Sequence, residues 1–198
     1  MQHLPYSAGV EIVLLLASPT HRYEGRPADG PLPATGQESH PNIRVRAGLG
    51  IVGDRHFAQR AHLQASVTVM DVEVLDLVAD DLGLPRSLDP VATRRNILLR
   101  GVDVDALRGT TFSLDSGEGP VEFRAHRPAN PCAWLDVVLA PGAHRAMRGR
   151  GGIRCEPLTD GMLRLGAARM LSSIPLATGA ASPRRPAPPG SPPGSSGS

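Results

Sequence analysis

The chain has 198 residues, of which 20 are proline and 22 glycine, enough for one domain of ordinary size built from short elements and many turns. All 21 basic residues are arginine and the net charge is only +2. This excludes lysine Schiff-base chemistry and a Walker-type phosphate loop, and it gives no electrostatic case for nucleic acid. The two cysteines, Cys132 and Cys155, lie in unrelated contexts and make neither a disulfide framework nor a zinc site.

Val10 to Ser18 is an apolar run that predicts a buried strand. The run Ile12 to Ala17 is short and lacks a preceding basic region, so a signal peptide is not expected. No stretch approaches the roughly 20 apolar residues of a membrane helix, and a cytoplasmic location is expected. Residues 21–42 are polar and proline-rich, and predict a long loop. Ile43 to Ala47 alternates as a half-exposed strand. It runs into three glycines and the triplet Asp54-Arg55-His56, a tight turn that delivers polar groups to one place. Asp54, His56 and His62 could ligate a metal. Without a recognised ligand spacing, backbone hydrogen bonding within the turn is the plainer reading.

Ser66 to Met70 predicts a short strand, followed by a helix from Val72 to about Leu82 that Asp71 caps and Gly83 stops. Its acidic residues Glu73, Asp76, Asp80 and Asp81 read as a solvated face. Pro90 to Leu99 starts polar and ends as a buried strand, with Arg94, Arg95 and Asn96 at its start, a combination suited to an anion. A one-turn helix follows near Val104 to Leu107, then a hairpin of Thr110 to Leu114 and Val121 to Ala125.

Pro128-Ala129-Asn130-Pro131-Cys132-Ala133-Trp134 holds the only tryptophan, ahead of a helix-compatible run ending at Ala140. Cys132 therefore falls at or just before a helix N-terminus, and Arg124 and Arg127 would favour a thiolate if they face it. The alternative is an inert cysteine packed beside Trp134. Arg145, Arg148, Arg150 and Arg154 lie among Gly149, Gly151 and Gly152, either a phosphate-binding loop or an exposed flexible one. Gly152 to Leu158 and Met162 to Leu165 predict a closing hairpin through Thr159-Asp160-Gly161, with Cys155 packed inside it. Residues 1–171 are expected to form one domain with its core at about 10–166, and 172–198 a disordered Pro/Ser/Gly-rich tail. The elements sum to a β-rich mixed α+β fold: about seven short strands in a small barrel with a few short peripheral helices.

Four blocks in order resemble the MOSC domain, named for the C-terminal part of molybdenum cofactor sulfurases. They are Gly50-Ile51-Val52-Gly53-Asp54-Arg55-His56, Arg94-Arg95-Asn96-Ile97 with Gly101-Val102-Asp103, Leu107-Arg108-Gly109, and Pro131-Cys132. The resemblance implies a MOSC-type β-barrel with a single functional cysteine. It implies the molybdenum cofactor, or molybdopterin, as ligand, with Cys132 the catalytic residue and the molybdenum ligand. Arg94, Arg95, Asn96, Asp54, His56 and either Arg150 or Arg154 would then contribute to cofactor binding. The activity implied is reduction of N-hydroxylated small molecules, with electrons from a separate donor protein. A second implied role is that of a sulfur carrier or transferase, holding a persulfide on Cys132 supplied by a separate cysteine desulfurase. A non-catalytic binding module is the third reading. Pyridoxal phosphate cannot be carried on this chain, which has no lysine. The small-molecule cofactor is thus the expected partner, with neither nucleic acid nor membrane. The chain departs from the family in having Ala129-Asn130 before Pro131-Cys132, and the loop 21–42 has no counterpart in the resemblance.

Overall fold

The computed structural model describes residues 3–85 and 87–177. Of the tail expected over 172–198, residues 178–198 lie outside the described part, while Ser172 is buried at the end of a strand and Ile174 and Leu176 pack against the core. Among the described residues ten strands form: β1 (Tyr6–Leu15), β2 (Asn42–Arg46), β3 (Gly50–Ile51), β4 (Val67–Asp71), β5 (Ile97–Arg100), β6 (Thr111–Asp115), β7 (Val121–Pro128), β8 (Ile153–Pro157), β9 (Gly161–Arg164) and β10 (Gly166–Ser172). Three short helices accompany them: α1 (Glu73–Asp81), α2 (Leu135–Val138) and α3 (Ala143–Ala146). Seven strands close a barrel in the order β1-β10-β6-β7-β8-β4-β5, and β3-β2-β9 make a small separate sheet. Within the barrel β4 and β5 run parallel and the other neighbours antiparallel.

The strand period of two divides the apolar residues between two cores. Leu15, Val69, Ile97, Leu99, Phe112 and Phe123 fill the barrel. Their neighbours Leu14, Met70 and Leu98 point outward and pack against Val74, Leu75 and Val78 of α1, Leu135 of α2 and Ala143 of α3. β4 and most of β5 are therefore buried on both faces. Asp71 Oδ1 accepts the Glu73 backbone N–H, the expected cap, at 2.8 Å. Gly83 ends the helix at φ 63°.

Three expectations are corrected. The closing hairpin does not form: β8 pairs with β4 and β7, while β9 pairs with β2. Both edges of β8 are taken, and Leu163 on β9 needs Ile43 and Val45 on β2 to be buried. Thr159-Asp160-Gly161 is instead a corner between sheets, its Asp160 Oδ1 accepting the Ala47 N–H at 2.7 Å. The core also runs past residue 166, because β10 bridges β1 and β6 and closes the barrel. Finally, the acidic side of α1 is not wholly solvated. Glu73 Oε1 accepts the Gly101 N–H at 2.8 Å, and Asp81 pairs with Arg150.

Candidate functional site

A cavity of about 230 Å³ opens where the end of β1, the starts of β4 and β5, and strand β8 meet. It gathers Cys132, Arg94, Arg95, Asn96, Asp54, His56 and Arg154, seven of the eight residues singled out from the sequence. These positions are far apart in the chain, so the barrel closure and the three loops over its end bring them together.

Asn96 holds the cavity floor. Its Oδ1 accepts from the Thr68 N–H at 2.9 Å and the Thr68 hydroxyl at 2.8 Å. Its Nδ2 donates to Leu16 O and to Asp54 Oδ2, each at 3.1 Å. All four positions of the amide are used, so Asn96 ties β1, β4 and the glycine turn to the start of β5. Asp54 in turn accepts the His56 N–H at 2.9 Å, which is the turn-closing role expected for it. Arg55 Nε donates to His56 Nε2 at 3.2 Å, which puts the imidazole proton on Nδ1. Burial, with Arg55 nearby, holds His56 down to about 4, so the ring is neutral near pH 7. The His62 ring lies tilted against His56, with centroids 4.6 Å apart, but stays off the cavity lining. Among the described residues no group of three His, Cys, Asp or Glu side chains is placed to hold a metal ion.

Arg94 and Arg95 point to opposite walls. Arg94 sits in the left-handed region at φ 57° and ψ 27°. Its Nη1 lies 2.7 Å from Glu38 Oε2, a close ion pair without the alignment of a hydrogen bond, and its Nη2 donates to Thr20 O at 3.3 Å. Glu38 also accepts from the Ser18 hydroxyl at 2.7 Å and from Arg22 Nη1 at 3.0 Å. The buried Glu38 carboxyl is held below its usual range: desolvation pushes it up, but the Ser18 hydrogen bond, the Arg94 charge and the Arg22 hydrogen bond outweigh that. Arg95 instead donates through Nε to Gly151 O at 2.8 Å and through Nη2 to Ala129 O at 2.7 Å. Burial, reinforced by Arg154, lowers its guanidinium to about 10, still protonated at neutral pH.

The loop 21–42 is the wall that sequence reasoning could not place. Tyr23 donates its hydroxyl to Ala92 O at 2.6 Å and stacks on Trp134 with centroids 5.4 Å apart. Burial raises the Tyr23 hydroxyl to about 12, so it stays a donor. His21, Tyr23 and Trp134 line the cavity together with Arg55. None was named as a site residue, although the single tryptophan beside Cys132 and the middle position of Asp54-Arg55-His56 were visible signals.

Cys132 is exposed at the cavity and Cys155 is buried in the barrel, where burial pushes its thiol up. The helix after Cys132 is only Leu135–Val138, and the Cys132 carbonyl accepts the Leu135 N–H at 3.0 Å. Arg124 and Arg127 do not line the cavity; Arg55, Arg94, Arg95 and Arg154 are the guanidinium groups there. Arg150 is also absent from it, since its Nη2 lies 2.5 Å from Asp81 Oδ2 on α1. The basic glycine-rich segment is therefore not one phosphate loop. A Cβ on Gly151 would meet Ala129 O at 2.3 Å, and one on Gly152 would meet Val69 O at 2.2 Å. Backbone from elsewhere in the chain fills the space over both glycines.

The family model for the MOSC domain matches residues 52–168, more than half of the chain. No curated protein is detectably similar in sequence. Among solved structures, the YuaD protein from Bacillus subtilis superposes with a TM-score of 0.63 at 17% identity, covering 85% of this chain and 98% of that one. YiiM from Geobacillus stearothermophilus gives a TM-score of 0.51 at 15% identity, with 86% and 75% covered. At these identities the likeness is one of fold, and it agrees with the closed barrel and its few short helices. On the family match and the barrel together, the chain belongs to the MOSC domain family.

Proposed function

We propose that this protein binds the molybdenum cofactor, with the Cys132 thiolate donating to molybdenum and the guanidinium-rich cavity taking the phosphate of the pterin. The single observation that carries this reading is an exposed cysteine on a cavity lined by four arginines and one carboxylate, Asp54. The residues fit such a group. A thiolate is a soft donor suited to the metal. The Arg154 side chain makes no ion pair or hydrogen bond among the described residues, and burial together with the neighbouring Arg127 lowers its guanidinium. An anion would satisfy this excess of cations.

When bound, the cofactor would supply two-electron redox chemistry at the metal. The reaction class is reduction of an N-hydroxylated small molecule: two electrons and two protons cleave the N–O bond, giving the amine and water. The electrons would come from a separate donor protein. The chain's own residues orient the ligand and limit water: Tyr23 and Trp134 form an apolar wall beside Cys132, and Asn96 with Asp54 fixes the floor.

Molybdenum and pterin analysis of wild type and Cys132→Ser from one molybdenum-replete culture tests this. About one molybdenum per chain in wild type, lost in the variant, is expected. Metal-free wild type, beside a molybdoenzyme that does load, would overturn the reading. The exposure of Cys132 also favours a second reading, a persulfide carrier, since a donor protein could reach the sulfur. A 32-Da adduct on Cys132 after incubation with a desulfurase and cysteine would then appear by mass spectrometry, roughly one sulfur atom per chain.

A further inference from the structure

The four arginines of the cavity are not equivalent. Arg94 and Arg95 are committed to the protein itself, the first to Thr20 and to Glu38 on the long loop, the second to Ala129 and Gly151 beside Cys132. The left-handed backbone at Arg94 is costly for a residue with a Cβ. Glycine would sit there more easily, so the strain secures a side chain, and that side chain reaches the Glu38 carboxylate. Arg55 and Arg154 differ. Arg55 spends only Nε, on the neutral His56 ring, and forms no ion pair among the described residues. Arg154 faces another cation, Arg127, across the β7–β8 pairing. Burial lowers both guanidinium groups; the Asp54 carboxylate offsets part of this at Arg55, while Arg127 pushes Arg154 further down. Half-buried cations outside any ion pair are costly, and an anion from outside relieves that cost.

We infer that a phosphate group entering this cavity is gripped by Arg55 and Arg154, while Arg94 and Arg95 are positioning residues that fasten the two walls. This rests on the reading of the cavity as an anion site, and it departs from the family resemblance, which points to the Arg-Arg-Asn block. His56 belongs to the same device, because its Nε2 orients the Arg55 fork.

The test uses the full chain and inorganic phosphate, titrated at constant ionic strength against chloride, with melting temperature and binding heat as readouts. Arg55→Gln and Arg154→Gln should weaken phosphate binding roughly tenfold or more, the loss of charge-assisted hydrogen bonds. They should not lower the melting temperature in chloride, because each removes a half-buried charge held in no ion pair. Arg94→Gln and Arg95→Gln should do the reverse: a lower melting temperature in chloride, and phosphate affinity within about threefold of wild type. Should Arg94→Gln fail to fold, Glu38→Gln loosens the same wall from the other side and should likewise keep phosphate affinity. Wild-type affinity in Arg154→Gln, or lost affinity at unchanged melting temperature in Arg94→Gln or Glu38→Gln, would overturn the inference. So would a wild type that phosphate stabilises no better than chloride. That last result leaves the Cys132–molybdenum reading to be decided by metal analysis alone.

Discussion

Replacing Asn96 by aspartate changes one atom type and leaves the shape intact. The carboxylate can still accept from the Thr68 N–H and hydroxyl, at 2.9 and 2.8 Å in the present structure. The two donations from Nδ2, to Leu16 O and Asp54 Oδ2 at 3.1 Å each, become contacts between oxygens. One lost bond is neutral, worth about 1 kcal/mol, and the other is to a carboxylate, worth about 2 kcal/mol. Repulsion between two buried carboxylates adds to this, so the deficit should be about 4 kcal/mol at pH 8. A carboxyl disfavoured as an anion in the fold has a raised folded-state pKa. Its penalty is therefore absent below the unfolded carboxylate range and grows as pH rises through the folded value. Urea denaturation of wild type and Asn96→Asp between pH 5 and pH 8 should show a deficit that shrinks toward about 2 kcal/mol at the acid end, where a protonated Asp can again donate one bond. A deficit below about 1 kcal/mol, or one independent of pH, would refute the assignment of Asn96 to the floor.

Gly152→Ala puts a Cβ 2.2 Å from Val69 O at a residue with φ of +80°. Strain and overpacking of about 2–5 kcal/mol should lower the melting temperature by roughly 10 °C, and an unchanged temperature would show that the β4–β8 region yields easily. Asp71 is driven up to about 8, first by burial and then by its neighbour Glu73. Its folded value is raised, so its contribution is complete below the unfolded range and is lost as pH rises through about 8. Asp71→Asn, which keeps the oxygen that caps α1, should flatten stability between about pH 5 and 9; a slope equal to wild type would contradict the burial argument. Native protein should take up about one equivalent of iodoacetamide, at Cys132, with Cys155 reacting only in urea, and rapid native labelling of both would contradict the burial of Cys155.

Much of the fold was legible because local pattern and burial agree. The alternation of Ile43 to Ala47 places Ile43 and Val45 inward on β2, and the turn before Val121 closes the β6–β7 hairpin as read. Partner choice was not legible. β8 and β9 flank a good turn signal, yet each pairs with a strand far away in sequence, because only those partners bury Cys155 on one side and Leu163 on the other. β10 was missed because Gly-Ala-Ala-Arg-Met-Leu-Ser buries little apolar surface of its own, with Ala168 and Met170 its main contributions to the core. Its place comes from the hydrogen-bonding edges that β1 and β6 leave open.

The site divides along the same line. The motif blocks pointed to Asp54, His56, Arg94, Arg95, Asn96 and Cys132, which do meet at the cavity, but not to His21, Tyr23 or Trp134, and the task of each depends on what lies opposite it. Arg94 and Arg154 look interchangeable in sequence. One is neutralised by Glu38, at the far end of a long loop with no periodicity, and the other faces Arg127 across a strand pair that local reading did not predict. Arg150 looked like a ligand residue until α1 brought Asp81 against it. An arginine's availability to a ligand is thus a property of carboxylate placement, and carboxylates on loops are placed by tertiary contacts such as the Ser18–Glu38 hydrogen bond. The cavity arginines without an ion pair are those the fold leaves unmatched, and that is why their availability to an anion is read from the assembled walls rather than from the Arg-Arg-Asn block.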